Sequence, residues 1–235
     1  AIGEVYMTHQ RVISLRFWPR AALLAIATLW LAACAQQSPL PLADDSLRSA
    51  QPGNFDHVFL PPGERLPRIT TLYIEPAQVA LSDYWLRDRR ADYTQRDLDR
   101  IYEDYGRFLD EALREGLSEQ TGVTLTENRE EADVIFRPTL RDLNIYAPDL
   151  SRPGITRHYT REAGNATFDL VLEAPDGKVL AQFIDHRETQ NLTGQAMEWT
   201  NRVTNYRHFS RLMDRWTRNL TDYLLIAGSV AQPAD

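Results

Sequence analysis

The chain holds one cysteine, Cys34, and one lysine, Lys178, so arginine supplies nearly all of its positive charge. A single cysteine permits no internal disulfide and no cysteine-based metal site. The formal net charge of the 235 residues is −7. An acidic chain of this kind argues against a nucleic-acid partner, because the binding of phosphates requires a positive surface.

The sequence also lacks the motifs that would indicate an enzyme. It contains neither a Gly-x-Ser-x-Gly nucleophile elbow nor a phosphate-binding glycine loop. Its histidines include no His-x-x-x-His pair, which would place two metal-binding rings on one helix face. His186 and Glu188 end a predicted strand and could supply a general base, although a surface ion pair is the interpretation we favour there. We therefore expect no metal, no cofactor and no catalytic residue.

Residues 11–34 form the most distinctive segment of the chain. Three arginines precede the uncharged, apolar residues 21–31, and small residues then lead to Cys34. An apolar run of this length is too short for a transmembrane helix, which needs about 20 residues. A basic start followed by such a run is typical of a secretion signal.

The last four residues of this segment, Leu31, Ala32, Ala33 and Cys34, resemble the lipobox of bacterial lipoproteins. The resemblance implies that a dedicated signal peptidase recognises the first three, and that Cys34 carries a diacylglycerol thioether and an amide-linked acyl chain. In that family an aspartate after the cysteine favours the inner membrane, so Ala35 implies a periplasm-facing position at the outer membrane. The competing interpretations are an ordinary signal peptide or a buried helix ending in cysteine, but the run lacks the polar periodicity of a core helix.

The expected parts of the chain are a signal peptide (1–33), a lipidated N-terminus and proline-rich tether (34–66), one periplasmic domain (67–228) and a flexible tail (229–235). Within the signal peptide, we expect Met7 to be the natural start and residues 1–6 to be extraneous to it. Prolines stiffen the tether and remove backbone donors. Its apolar exceptions, Phe55 and residues 58–60, could dock on the domain. Removal of the signal peptide leaves 23 basic and 32 acidic residues, so the formal charge changes from −7 to −9.

Hydrophobic periodicity predicts an α+β fold with one domain. The predicted elements are a strand at 69–76, a helix at 97–117 capped by Thr94, strands at 123–126 and 133–146, a hairpin at 166–187 and a helix at 206–224. Pro138 predicts a bulge or an edge position in its strand, and residues 78–93 are expected to be irregular. The order β-α-β-β-β-β-α indicates a mixed or antiparallel sheet of about five strands with two helices packed on one face.

Three short motifs within this domain resemble a family of bacterial lipoproteins of unknown function. They are Tyr-Ile-Glu-Pro at 73–76, Ala-Asp-Val at 132–134 and Met-Asp-Arg-Trp at 213–216. The resemblance would cover about residues 69–226, and the architecture is similar to the small α/β domain of several envelope lipoproteins. It supplies no catalytic residues to carry over.

Two predicted loops combine arginine with aromatic residues, a composition typical of partner-binding surfaces. The candidate residues are Tyr84, Trp85, Arg87, Arg89 and Arg90 in the first loop, and Arg157, His158, Tyr159 and Arg161 in the second. The competing explanation is two solvated loops with internal Arg–Asp pairs. We predict one surface that binds an envelope protein or glycan, on a non-enzymatic, membrane-anchored accessory module. The rival class is a periplasmic hydrolase that acts on envelope polymers.

Overall fold

A computed structural model describes residues 41–146, 158–160, 162–189 and 198–233 of the chain. Every element below belongs to one compact unit, residues 42–235. Within the described residues, no helix has both the length and the apolar character needed to cross a membrane.

The structure contains ten strands and three α-helices within the described residues. The strands are β1 (Arg48–Ser49), β2 (His57–Leu60), β3 (Thr71–Ile74), β4 (Gln78–Leu81), β5 (Thr124–Leu125), β6 (Val134–Ile145), β7 (His158–Thr160), β8 (Gly164–Glu173), β9 (Val179–Glu188) and β10 (Glu198–Thr200). The helices are α1 (Asp83–Arg89), α2 (Gln95–Gln120) and α3 (Arg202–Ile226), and short 3-10 turns lie at Arg90–Asp92 and Arg129–Glu131.

Eight of the strands form one mixed sheet in the order β1-β2-β9-β8-β6-β3-β5, and β4 pairs with β6 further along the same strand. The pairs β3–β5, β3–β6 and β4–β6 are parallel, and the other pairs of this sheet are antiparallel. Strands β7 and β10 form a separate two-stranded sheet. The predicted α+β class is confirmed, but the sheet has more strands than the five expected.

Local sequence explains why the two long helices begin where they do. The Thr94 hydroxyl accepts a hydrogen bond from the Asp97 backbone N–H at 3.2 Å, and the Asp97 carboxylate accepts one from the Thr94 N–H at 3.1 Å. Asn201 and Thr204 form the same reciprocal capping box at the start of α3. Each box satisfies backbone donors that a helix start leaves unpaired. The predicted Thr94 cap and both helices are confirmed.

Helices α2 and α3 pack against each other and against one face of the sheet. The Phe168 ring stacks on Trp216 with 5.4 Å between centroids, and Tyr105 of α2 meets Phe209 of α3 edge-on at 5.0 Å. Full burial of one such side chain contributes roughly 1.5–3 kcal/mol. The hairpin of β8 and β9 alternates as predicted, because Phe168 faces the helices while Asp169 faces the other side, where it accepts a hydrogen bond from Gln182.

Residues 78–93, which were expected to be irregular, instead contain β4 and α1. Ser82 caps α1 through a hydrogen bond from the Trp85 N–H to its hydroxyl at 3.1 Å. Strand β4 is too short to show the alternating apolar pattern of a strand in the sequence, and it forms because it pairs with β6. From β3 onward the order β3-α2-β5-β6-β8-β9-α3 matches the prediction, with β4, α1, β7 and β10 added to it.

Pro138 was predicted to mark a bulge or an edge position, and the bulge lies elsewhere in β6. Pro138 occupies the middle of this strand and pairs in register with Leu170. The parallel partner of β6 changes near this proline, from β3 on one side to β4 on the other. The register shifts between Arg141 and Asn144 instead, where Asp142 has a φ of 53°. Aspartate tolerates this left-handed conformation better than most residues, which suits it to the bulge.

The N-terminal boundary of the domain lies well before the predicted residue 67. Strand β2 pairs with β9, and β1 pairs with β2, so residues 48–60 form one side of the sheet rather than a tether. Phe55 and Val58 join the main core, whereas Leu47 and Phe59 pack with Ile184 in a second small cluster. A proline-rich composition resembles a linker even where apolar side chains bind the segment to a sheet.

The C-terminal boundary of the domain lies beyond the predicted residue 228. Ser229 and Val230 are buried, although residues 229–235 were expected to form a flexible tail. The Ile69 N–H donates to the Ser229 carbonyl at 2.7 Å, and the Gly122 N–H donates to the Ala231 carbonyl at 2.9 Å. These bonds attach the chain after α3 to the start of β3 and to the end of α2.

Candidate functional site

Trp85 is a core residue, whereas the sequence prediction placed it in an exposed loop. Its side chain is buried, and its indole N–H donates to the carbonyl of Ile145 at 2.9 Å. Its ring lies 4.7 Å from that of Tyr93. Because this hydrogen bond satisfies the polar atom of the buried indole, Trp85 joins α1 to the end of β6 and has no polar atom free for a partner.

The arginines next to Trp85 have mixed roles. Arg90 holds the turn before α2, because its guanidinium donates to the Tyr93 carbonyl at 2.9 Å and to the Gln95 side chain at 3.2 Å. Arg87 lies 5.0 Å from the centre of the exposed Tyr84 ring and pairs with a neighbouring aspartate at 3.2 Å. Such local pairs fit the competing explanation of a solvated segment with internal charge pairs.

A cavity of about 300 Å³ does bring three of the predicted residues together. Its lining consists of Tyr84, Trp85, Asp88, Arg89, Asn144, Ile145 and Tyr146. The Tyr146 hydroxyl donates to Glu188 at 2.6 Å and accepts from the Asn165 amide at 2.8 Å. Burial, together with the bond to Glu188, raises the pKa of Tyr146 to about 12, so this tyrosine remains a neutral hydrogen-bonding group at ordinary pH.

The second predicted cluster is only partly described. His158 and Tyr159 lie in β7, which pairs with β10, and the Tyr159 side chain is half exposed. Arg157 and Arg161 lie outside the described residues. The single surface predicted from both loops therefore stays a prediction.

A groove between α2 and the start of α3 was missed by the sequence prediction. We call it the helix groove; it has a volume of about 250 Å³ and is lined by Asp104, Tyr105, Arg107, Phe108, Arg202, Val203 and Tyr206. The Phe108 and Tyr206 rings meet at 4.2 Å and form its floor. Both residues follow the helical period of the buried face, so the sequence indicated core positions for them. Only the packing of the two helices shows that these rings line an open groove.

The charges of the helix groove are unequally paired. Arg107 donates to Asp104 at 3.0 Å and to Glu111 at 3.2 Å, and the first of these bonds is the main reason why the pKa of its guanidinium is raised. Its guanidinium carbon also lies 4.8 Å from the centre of the Phe108 ring. Arg202, in contrast, is exposed and forms no ion pair with any residue that the structure describes. The groove therefore combines an apolar floor with one positive charge that no described residue pairs with.

The face of the sheet opposite the helices carries a compensated ion-pair network. Arg129 and Arg137 each bridge Glu75 on the β3 side to Glu173 on β8. The hydrogen bond to Glu173 is the main cause that raises the pKa of the Arg137 guanidinium. A cavity of about 260 Å³ lies beside the network and includes Ala43 in its lining. Because two arginines meet two glutamates, the network joins strands and leaves no net charge for a ligand.

The titratable residues considered as catalysts form no recognisable centre in the described part of the chain. No group of three or more histidine, cysteine, aspartate or glutamate side chains within it could hold a metal ion. The His186 ring nitrogen Nδ1 lies 2.9 Å from the Thr167 hydroxyl, and the His186 backbone N–H donates to Asp56 at 2.8 Å. These contacts tie β9 to β8 and to the segment before β2.

The sequence matches no protein-family model and no curated protein sequence. Among solved structures, the chain is similar to a PelC dodecamer from Paraburkholderia phytofirmans, at 10% identity and a TM-score of 0.31, covering 67% of this chain and 93% of that one. It is also similar to a neuraminyllactose-binding hemagglutinin homolog from Helicobacter pylori, at 10% identity and a TM-score of 0.31, covering 69% and 89%.

A DUF4136 family protein from Bacteroides thetaiotaomicron is similar at 10% identity and a TM-score of 0.29, covering 76% of this chain and 100% of that one. Similarities at this level of identity and TM-score assign neither a family nor a function to the chain.

Proposed function

We propose that the protein is a lipoprotein of a bacterial cell envelope, anchored at the outer membrane through Cys34, whose periplasmic domain is a non-enzymatic binding module. The observation that carries the proposal is the pattern of residues 11–34. Three arginines, an uncharged apolar run and Leu31-Ala32-Ala33-Cys34 follow one another, and the last residue is the only cysteine of the chain.

The lipids implied by this pattern supply enough membrane affinity for a permanent anchor. Each buried methylene contributes about 0.8 kcal/mol, and a single acyl chain gives only marginal binding, whereas two or more hold firmly. The domain itself is acidic, so anionic lipid would repel rather than attract it. Attachment at a membrane therefore depends on Cys34.

A tether after Cys34 would be shorter than the predicted residues 34–66, because residues 48–60 belong to the sheet. Leu42 packs on the small apolar cluster and the Ala43 N–H donates to the Gln182 side chain, so at most residues 35–41 link Cys34 to the domain. At about 3.3–3.6 Å per residue, this linker spans at most about 30 Å when fully extended. The proposed anchor thus keeps the domain near the membrane surface, and the partner must be reached there.

The proposal is tested by expressing the full chain and its Cys34→Ser variant in a bacterial host. We expect the wild-type chain to incorporate an alkyne-tagged fatty acid, to lose residues 1–33 and to sediment with membranes. The variant is expected to lose the label and the membrane association. Equal labelling and sedimentation of both chains would sink the proposal.

Two further variants separate location from anchoring. Ala35→Ser should leave labelling and membrane density unchanged, whereas Ala35→Asp should stay labelled but move toward the inner membrane in an enterobacterial host. The non-enzymatic role is tested by incubating the purified full chain with isolated cell-wall sacculi. Release of soluble fragments above a buffer control would favour the hydrolase over the binding module.

A further inference from the structure

We infer that the helix groove binds a protein segment that inserts an apolar side chain and carries an acidic residue beside it. The inference rests on the proposed binding role of the domain, but it does not need the lipid on Cys34. The two proposals can therefore fail separately.

The first support is exposed apolar surface in the groove. Val203 is 72% exposed and Tyr206 is 43% exposed, although both are large hydrophobic residues. They lie beside Phe108 at the start of α3, in one continuous groove. Isolated hydrophobic residues are ordinary on a protein surface, but a cluster around a concave site is typical of a binding surface.

The size and shape of the groove favour inserted side chains over a small molecule or a sugar. Its volume of about 250 Å³ is below the roughly 300–1,000 Å³ of small-molecule pockets. The Phe108 ring is already in contact with the Arg107 guanidinium at 4.8 Å and with Tyr206 at 4.2 Å. Its neighbours therefore cover this ring and leave little of it for a sugar to stack on. The most exposed apolar side chain of the groove is the aliphatic Val203.

The charge of the groove favours an acidic partner. Asp104 and Arg107 pair with each other, so their charges offset, whereas Arg202 has no ion-pair partner among the described residues. A partner carboxylate at Arg202 would gain an attractive charge at the rim of an apolar contact. The formal charge of the whole chain is −7, so Arg202 is a positive group, unpaired among the described residues, on a molecule of net negative charge. The charges that line the groove therefore favour a segment with an acidic residue beside its apolar side chain.

The experiment is a selection of peptides from a random phage-displayed library on the purified, lipidated full chain in detergent micelles. We expect the enriched peptides to combine aliphatic or aromatic residues with an adjacent aspartate or glutamate. Val203→Asp should weaken the best of these peptides at least tenfold. The matched control is Ile226→Asp, because Ile226 is exposed at the other end of α3, and this variant should bind with unchanged affinity.

A charge reversal tests the acidic preference directly. With Arg202→Glu as the target, the selection should enrich lysine or arginine in place of the acidic residue. Enrichment of peptides without charge preference, or binding that survives Val203→Asp, would overturn the inference. The Cys34→Ser chain should bind the peptide as well as wild type does, so a failure of anchoring is distinguishable from a failure of the groove.

A photo-crosslinking amino acid at position 203 in living cells adds a second readout. A crosslink to a protein segment that holds an acidic residue beside the apolar attachment point would support the inference. Crosslinks to glycan, to lipid or to a second copy of this chain would overturn it. The same amino acid at position 226 is the control for non-specific capture.

Discussion

Asp185 holds together the N-terminal segment, the sheet and helix α3, and its replacement gives the most informative test of the fold. The carboxylate is fully buried. It accepts hydrogen bonds from the Asp56 N–H at 2.9 Å, the Trp216 indole N–H at 2.9 Å, and the Arg187 guanidinium at 2.7 and 2.8 Å. We predict that Asp185→Asn, which keeps the shape but not the charge, destabilises the domain.

The expected loss of stability follows from the hydrogen bonds that the asparagine amide cannot accept. An asparagine presents one acceptor oxygen and one NH₂ group, so one side of the network places a donor against a donor. A buried donor left unsatisfied costs about 1–3 kcal/mol, and breaking a buried ion pair costs about 3–5 kcal/mol. Arg187 is 32% exposed and can turn toward Asp56, 3.9 Å away, which reduces the second cost. We expect a loss of about 3 kcal/mol, or roughly 6–12 °C in Tm for a domain of this size.

The assay is urea unfolding of the full chain, followed by the fluorescence of its tryptophans. Asp88→Asn is the control, because Asp88 forms an exposed pair with Arg87 and should change stability by less than about 1 kcal/mol. Adding Trp216→Phe to Asp185→Asn should cost less than the sum of the single changes, since both affect one hydrogen bond. A change for Asp185→Asn no larger than that for Asp88→Asn would refute the reasoning.

Two further predictions concern close packing and acid stability. Gly116→Ala would place its new methyl 2.4 Å from Cγ2 of the buried Thr217. Thermal melts should therefore show that overpacking lowers the free energy of unfolding by about 1–3 kcal/mol, and Thr217→Ser should restore part of it. A variant as stable as wild type would contradict this contact. Hydrogen bonds from Thr70 and Thr71 lower the pKa of Asp133 to about 2. The ionised carboxylate therefore stabilises the fold fully above its ordinary pKa of 3.8, and this stabilisation disappears as the pH falls toward 2. Urea unfolding between pH 6 and pH 2 should therefore show wild type converging on Asp133→Asn, and parallel curves would refute the assignment.

The long helices and the central hairpin could be predicted from sequence because their signals are local. The apolar period of α2 runs over several turns, and Thr94 and Asp97 cap it from positions three residues apart. The alternation in β8 and β9 likewise needs only the hairpin itself. The pattern around Cys34 is also local, because the resemblance lies in consecutive residues.

The edge of the sheet could not be predicted in this way. Strand β2 acquires its partner β9 from residues more than 120 positions later, and β1 contributes only Arg48–Ser49. So few residues carry no measurable period, and the surrounding prolines gave the segment the composition of a linker. Its place in the sheet follows from burial of Phe55 and Val58 against the core.

The candidate surface was decided by tertiary structure as well. Arginine and aromatic composition correctly marked Tyr84 as exposed, but it could not show that Trp85 points inward to hydrogen-bond Ile145. Conversely, Phe108 and Tyr206 share the period of buried positions, and yet they line the helix groove. The sequence alone determined the two long helices and the hairpin. Side-chain direction and the pairing of distant short strands were decided only by packing, because these depend on contacts between residues far apart in the chain.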